Sequence, residues 1–248
     1  MVHFPDAFPL LETRTLPHGT LTAVGLPDIT REAEVPALLA AARSALHPDE
    51  WQLAETLAMP RRVAFVGGRL ALRAALHAVQ PALADQPILR TSRRAPAMPP
   101  GALGSVSHKR RLAVALVHTP NDAVRTLGVD VEERPGPDDL ARADLAPKIL
   151  TPLERHELAA IAADAPLAYR DAVRLRFALK EAVYKAIDPH VQRYVRFQEV
   201  EVFPGAAGAV AVRLALPEFA GRHITVQAYW TELHGHLVAS AAGSRVTP

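Results

Sequence analysis

Proline is the strongest constraint on what this chain can fold into. It takes 22 of 248 positions, above the ~5% of average proteins. Each proline fixes φ and removes a backbone donor, so the chain reads as short elements separated by breaks. Two of the proline-free stretches, about Arg61 to Val79 and about Ala168 to Ile187, are predicted as long helices. In the first, Val63, Val66, Leu70, Ala74 and Leu76 recur near the helical period. Arg62, Arg69 and Arg73 share a second face of it, most simply a solvated basic one. In the second, Leu175, Leu179, Ala182 and Ala186 form a core stripe, and Asp188-Pro189 ends the helix.

The rest is predicted in short pieces. A strand is expected at Gly19–Gly25, and helices at 36–46 and 49–58. Residues 81–101 are proline-rich, carry Arg90, Arg93 and Arg94, and read as a loop or extended segment. Leu112–Val117 and Leu127–Glu132 flank the turn chemistry of Thr119-Pro120-Asn121-Asp122 and are predicted to pair as a hairpin. Helical segments follow at 139–146 and 152–162. Thr151-Pro152-Leu153-Glu154 opens the second, with Thr at N-cap, Pro at N1 and Glu at N3. Strands are expected near 197–203, 209–216, 223–230 and 236–241. The order strand, helix, loop, strand recurs on both sides of residue 120, which permits two lobes, 1–120 and 121–248.

Composition removes several classes of function. Cysteine is absent, which excludes disulfides, thiolate zinc sites and a cysteine nucleophile. The net charge of +2 is too small to imply a nucleic-acid partner, and aromatics at 5% offer no stacking platform. No run approaches the ~20 apolar residues of a membrane span. Met1–Asp6 lacks the basic-then-apolar order of a signal peptide, so the expected location is cytoplasmic.

Three segments carry candidate chemistry. Alternation in Gly128-Val129-Asp130-Val131-Glu132 places Asp130 and Glu132 on one side of a strand, with Val129 and Val131 toward the core. Paired carboxylates repel, and a hard divalent cation such as Mg²⁺ removes that cost; an ordinary exposed strand face is the plainer alternative. In Phe177-Ala178-Leu179-Lys180-Glu181-Ala182-Val183-Tyr184-Lys185, Glu181 and Lys185 share a helix face with Phe177. That face is either a surface ion pair or the wall of a cleft. In Ser105-Val106-Ser107-His108-Lys109-Arg110-Arg111, a histidine just ahead of a strand, two hydroxyls and three cations suit a phosphate.

Read together and in this order, the three segments resemble the phosphopantetheinyl transferases of the surfactin/enterobactin-activating (Sfp) type, over roughly residues 55–203. The family pattern is S-x-S-H, then G-[IV]-D-x-E, then [WF]-x-x-K-E-[AS]-x-x-K. Phe177 stands where many members have Trp, which places the chain in the enterobactin-type branch. The resemblance implies an α+β fold of two similar lobes related by a pseudo-two-fold, with the active site in the cleft between them. It implies transfer of the 4′-phosphopantetheine arm of coenzyme A to a serine hydroxyl of an acyl, peptidyl or aryl carrier protein. Adenosine 3′,5′-bisphosphate would be released.

The resemblance also assigns roles. Asp130, Glu132 and Glu181 would hold Mg²⁺, with Mn²⁺ as the alternative. Glu181 would accept the serine proton, directly or through water, and Lys185 would steady the bridging or leaving oxygen. Lys180 would touch the pyrophosphate. His108 and Arg62 would hold the 3′-phosphate, with Arg69, Arg93 and Ser107 as further contacts and Arg73 as surface charge. Arg170, Arg174 and Arg176 are candidates for steering an acidic carrier helix. A monomer would suffice. A metal-dependent phosphohydrolase or nucleotidyltransferase using the same carboxylates is the enzymatic alternative. A non-catalytic protein that binds coenzyme A or a carrier is the other. Gly67-Gly68 lacks P-loop spacing, and His234-Gly235-His236 reads as a turn. Trp51 and Trp230 read as core or lobe-interface residues, and the remaining histidines as structural or exposed.

Overall fold

The computed structural model describes residues 4–30, 33–217 and 224–245. His3 and His223, read above as structural or exposed, lie outside them. The chain divides into two compact units, Met1–Leu127 and Gly128–Pro248. The sequence placed the boundary at 120.

The first unit contains β1 (Leu10–Leu16), β2 (Gly19–Gly25), α1 (Val35–Ala41), α2 (Pro48–Glu55), α3 (Met59–Val79), β3 (Leu89–Arg90), β4 (Pro96–Ala97), β5 (Leu103–Lys109) and β6 (Leu112–His118). An antiparallel sheet in the order β1-β2-β6-β5 packs against α3. The predicted apolar stripe of α3 is buried there, from Val63 through Leu76. Gly67 and Gly68 let the helix settle closely. A Cβ on Gly67 would stand 2.1 Å from Leu26 Cδ2, and one on Gly68 3.0 Å from Val106 Cγ2. The glycines serve the packing of helix on sheet. Trp51 belongs to this core, its indole N–H donating to Glu55 Oε1.

At β7 (Thr126–Glu133) the chain passes to the second unit, which continues with α4 (Ala146–Ile149), α5 (Pro152–Asp164), α6 (Pro166–Val191), β8 (Val200–Pro204), β9 (Ala209–Leu214), β10 (Ile224–Leu233) and β11 (His236–Arg245). The sheet order is β7-β11-β10-β9-β8, so β7 is an edge. The inner face of α6, including Leu175, Leu179, Ala182 and Ala186 as predicted, packs on Val200, Val202, Ala228, Leu237, Ala239 and Ala241. β10 and β11 turn through His234 and Gly235, both at positive φ (47° and 74°), in register with Leu233 opposite His236. That two-residue turn is the one read from His234-Gly235-His236.

Three expectations are corrected. The segments Leu112–Val117 and Leu127–Glu132 do not pair. β6 lies between β2 and β5, whereas β7 pairs with β11 more than a hundred residues later. Both are apolar strands flanking a good turn, and periodicity does not say which neighbour a strand takes. Asp188-Pro189 does not stop α6: Pro189 sits inside its last turn, and Gln192 in left-handed backbone ends the helix by donating to Asp188 O. His108 lies within β5 opposite Ala113, not ahead of a strand.

In each unit a fully buried glutamate ties several segments together. Glu154 fills the N3 place of the capping box predicted at Thr151: its Oε2 accepts from Thr151 N, while Thr151 Oγ1 accepts from Glu154 N. The same carboxylate takes Lys180 Nζ at 2.6 Å and Val202 N at 2.9 Å, tying α5 to α6 and β8. In the first unit Glu50 holds N3 of the box at His47 and takes Arg73 Nη2 from α3 at 2.6 Å. It also accepts from Ile88 N at 2.7 Å. Both glutamates are 0% exposed. Arg73 is therefore a buried structural cation and not the surface charge expected.

Removing one partner of such a pair leaves an uncompensated charge in the interior. Lys180→Met is expected to lower the stability of the protein by about 3–5 kcal/mol in urea unfolding. An unchanged unfolding midpoint would show that Lys180 does not hold the second unit together.

Candidate active site

The carboxylates of the second unit are placed by β7 and α6. Asp130 and Glu132 alternate with Val129 and Val131, as read from the sequence, and all four are buried. Gly128 falls on the carboxylate face by the same alternation. A Cβ there would lie 1.8 Å from Ala182 O. Glycine thus allows α6 to press against the strand, which brings the helix charges to the carboxylates.

Arg174, Glu181 and Lys185 are spaced seven and four apart and form one stripe of α6. Lys185 Nζ donates to Asp130 Oδ1 at 2.7 Å and to Val129 O at 2.8 Å. Arg174 Nη1 reaches Glu132 Oε2 at 3.4 Å, while its Nη2 stands 3.7 Å from Asp139 Oδ1. Glu181 lies between them. Burial pushes its carboxyl above the usual carboxylate range; Asp130 and Glu132 add to that, and Lys185 opposes it. The structure therefore brings Asp130, Glu132, Glu181 and Lys185 into one electrostatic group. The three carboxylates suit a hard divalent cation. Among the described residues no three His, Cys, Asp or Glu side chains are already drawn together as metal ligands.

Lys180, assigned above to the pyrophosphate, is corrected. It is 1% exposed, and its three donors go to Glu154 Oε2, Ile149 O and Phe197 O. Burial pulls its ammonium below the ordinary lysine range, and Glu154 pulls it back. One residue along a helix is a turn of 100°, so Lys180 and Glu181 face different surroundings. Phe177 is half-buried and packs on Phe197, with ring centroids 5.5 Å apart. The candidates for carrier steering are also engaged. Arg176 is buried and pairs with Glu157, and Arg170 holds Arg142 O and Ala143 O.

In the first unit the expected phosphate contacts separate. Arg69 is 3% exposed, donates to Leu89 O and stacks over Phe65 at 4.3 Å. Burial brings its guanidinium down to about 10. It supports the fold and is not placed as a direct contact. Arg62 directs Nε and Nη2 at Ala54 O, Glu55 O and Leu57 O, closing the C-terminal end of α2. Ser107 and His108 are adjacent in β5 and so point to opposite faces, with His108 on the side of Val106 and α3. Arg93 is exposed.

Arg61 and Arg90 were given no role from the sequence, although Arg90 stood in the basic stretch noted there. Both are exposed, and Arg90 feels Arg61 and Arg94 as like charges while lying 4.9 Å over the Phe65 ring. The adjacent Arg61-Arg62 pair carried the signal, but which of two neighbours faces the solvent depends on where α3 meets α2.

Comparison with known proteins covers both units. Residues 126–241 match the model of the 4′-phosphopantetheinyl transferase superfamily, and residues 49–118 that of the 4′-phosphopantetheinyl transferase N-terminal domain. The 4′-phosphopantetheinyl transferase PptT of Mycobacterium tuberculosis is 32% identical over 189 residues, which is 74% of this chain and 77% of that protein. The 4′-phosphopantetheinyl transferase Svp of Streptomyces mobaraensis is 37% identical over 164 residues. That match takes 64% of this chain and 62% of the Streptomyces protein, less than two thirds of its length. The structure of Helicobacter pylori holo-[acyl-carrier-protein] synthase in complex with coenzyme A aligns with a TM-score of 0.37 at 18% identity, over 48% of this chain and all of that one. At that level a likeness decides nothing about the chain.

The raised Glu181 carboxyl has a consequence for stability. A carboxyl held above its unfolded value favours the folded state when protonated. That contribution is complete below the ordinary glutamate value of about 4.3 and is lost as pH rises through the folded value. Glu181→Gln is therefore expected to melt above the wild type at pH 7 without divalent cations. The gap should narrow as pH falls toward 4, followed by thermal melts across the range. A variant that melts below the wild type at pH 7 would refute the strained carboxylate.

Proposed function

The chain belongs to the 4′-phosphopantetheinyl transferase superfamily, and we propose that it moves the phosphopantetheine arm of coenzyme A to a serine hydroxyl of an acyl, peptidyl or aryl carrier protein. The observation that carries this reading is the group formed by Asp130, Glu132, Glu181 and Lys185, with one carboxyl held above its ordinary range at its centre.

In this reading the serine oxygen bonds to the phosphorus that carries the pantetheine arm. The bond from that phosphorus to the bridging oxygen breaks, and adenosine 3′,5′-bisphosphate leaves. Such a transfer needs alignment and charge neutralisation more than covalent help. Asp130, Glu132 and Glu181 are the residues that would hold Mg²⁺ or Mn²⁺, which when bound supplies positive charge to the pyrophosphate. Glu181 accepts the proton of the serine hydroxyl, a task that a raised carboxyl suits. Lys185 donates to the leaving oxygen. In the first unit Arg61 and Arg90, with His108 and Arg93, are the cations and donors offered to the phosphates of coenzyme A. Arg62 and Ser107 take lesser parts, Arg62 because most of its donors close a helix.

The test is direct. The protein is incubated with coenzyme A, Mg²⁺ and an apo carrier protein, and the carrier is weighed by mass spectrometry for the added arm. Glu181→Gln and Asp130→Asn are each expected to lower the rate by a factor on the order of 10²–10⁴, with circular dichroism unchanged. Transfer by Asp130→Asn at the native rate would remove Asp130 from the site. No transfer to any of a panel of acyl, peptidyl and aryl carriers would overturn the reading.

A further inference from the structure

We propose that Lys185 is a stand-in cation, whose ammonium holds Asp130 when no divalent ion is present and must be displaced for such an ion to engage that carboxylate. The inference rests on the reading that Asp130, Glu132 and Glu181 hold a divalent cation, and it adds a second task to Lys185.

The geometry is that of a small cation on two oxygens. Nζ lies 2.7 Å from Asp130 Oδ1 and 2.8 Å from Val129 O, a carboxylate and a carbonyl from successive residues of an edge strand. Hard divalent cations take the same two kinds of donor. The stripe of α6 repeats the arrangement more loosely at its other end, where Arg174 stands 3.4 Å from Glu132 and shares itself with Asp139. Both strand carboxylates thus face a cation from the helix, and Glu181 between them feels Asp130, Glu132 and Lys185 together.

The contrast with Lys180 shows which lysine is free to move. Lys180 is sealed, with three acceptors around an ammonium that is 1% exposed. The Lys185 side chain is 28% exposed, holds two acceptors and sits on a four-carbon stem that can swing toward solvent. A divalent ion brings twice the charge to Asp130 and can draw in Glu132 and Glu181 as well, which one ammonium cannot do. The displaced ammonium is then released beside the site at the moment the ion arrives. It becomes available to a leaving oxygen only when the carboxylates are loaded.

Metal-free protein without coenzyme A is titrated with Mn²⁺, and the free ion is read from its paramagnetic resonance signal. Lys185→Met is expected to bind Mn²⁺ roughly tenfold more tightly than the wild type, the size of one charge-assisted hydrogen bond. Equal or weaker binding by the variant overturns the displacement while leaving the metal reading in place. Binding by neither protein overturns the metal reading and this inference with it. A second measurement needs no variant. Wild-type protein is briefly acetylated with acetic anhydride, with and without Mn²⁺, and Lys185 is compared with the exposed Lys148 by peptide mass mapping. Severalfold greater labelling of Lys185 with the ion supports displacement; unchanged or lower labelling refutes it.

Discussion

The second unit depends on the hydrogen-bonded pair of Glu154 and Lys180 in its interior. An isolated carboxylate or ammonium there would be too costly to hold, so each group makes the other tolerable. Glu154 also closes the first turn of α5 and accepts from Val202 N, while Lys180 takes the carbonyls of Ile149 and Phe197. Five segments meet at one ion pair: the start of α5, the middle of α6, the end of α4, the turn at Phe197 and β8. This fixes α6 along and about its axis. The stripe of Arg174, Glu181 and Lys185 then has no choice but to face β7.

The first unit uses the same device with different residues. His47-Pro48-Asp49-Glu50 corresponds to Thr151-Pro152-Leu153-Glu154, Arg73 of α3 to Lys180 of α6, and Ile88 N to Val202 N. Each glutamate caps a shorter helix, holds the long one by a cation, and catches the chain again where it becomes extended. The likeness is one of roles, since Arg substitutes for Lys and His for Thr. That is why the sequence shows no tight repeat to the eye.

Much of the fold was legible because period and punctuation report burial. The stripes of α3 and α6, the alternation of β7, the capping box at Thr151 and the turn at His234-Gly235 all follow from local chemistry. What was not legible required knowing a neighbour. β6 and β7 both read as strands beside a turn, yet pairing is decided by partners far along the chain. Lys180 and Glu181 stand together in the motif, and only the position of Glu154 shows that one points into the core and the other toward β7. Arg61 and Arg62 separate likewise, by which of them lies over the end of α2. Gly128 was visible as part of a pattern, but its reason, the carbonyl of Ala182 against the strand, was not. Side chains that report their own burial were read correctly; those whose role is set by a distant partner were not.

The charges at the candidate site suggest why an ion and a diphosphate belong together there. Asp130, Glu132 and Glu181 face Lys185 and Arg174, and Arg174 is shared with Asp139, so the acids outnumber the bases when all are ionised. On the proposed reading, coenzyme A brings a pyrophosphate diester with two more negative charges and alone would meet repulsion from all three carboxylates. A divalent cation cancels those two charges, so the pair enters with the group's net charge unchanged. The site is then neither overcharged nor forced to protonate Glu181, the carboxyl least able to tolerate further negative neighbours. Glu181, left ionised, is then the carboxylate that takes the proton on this reading.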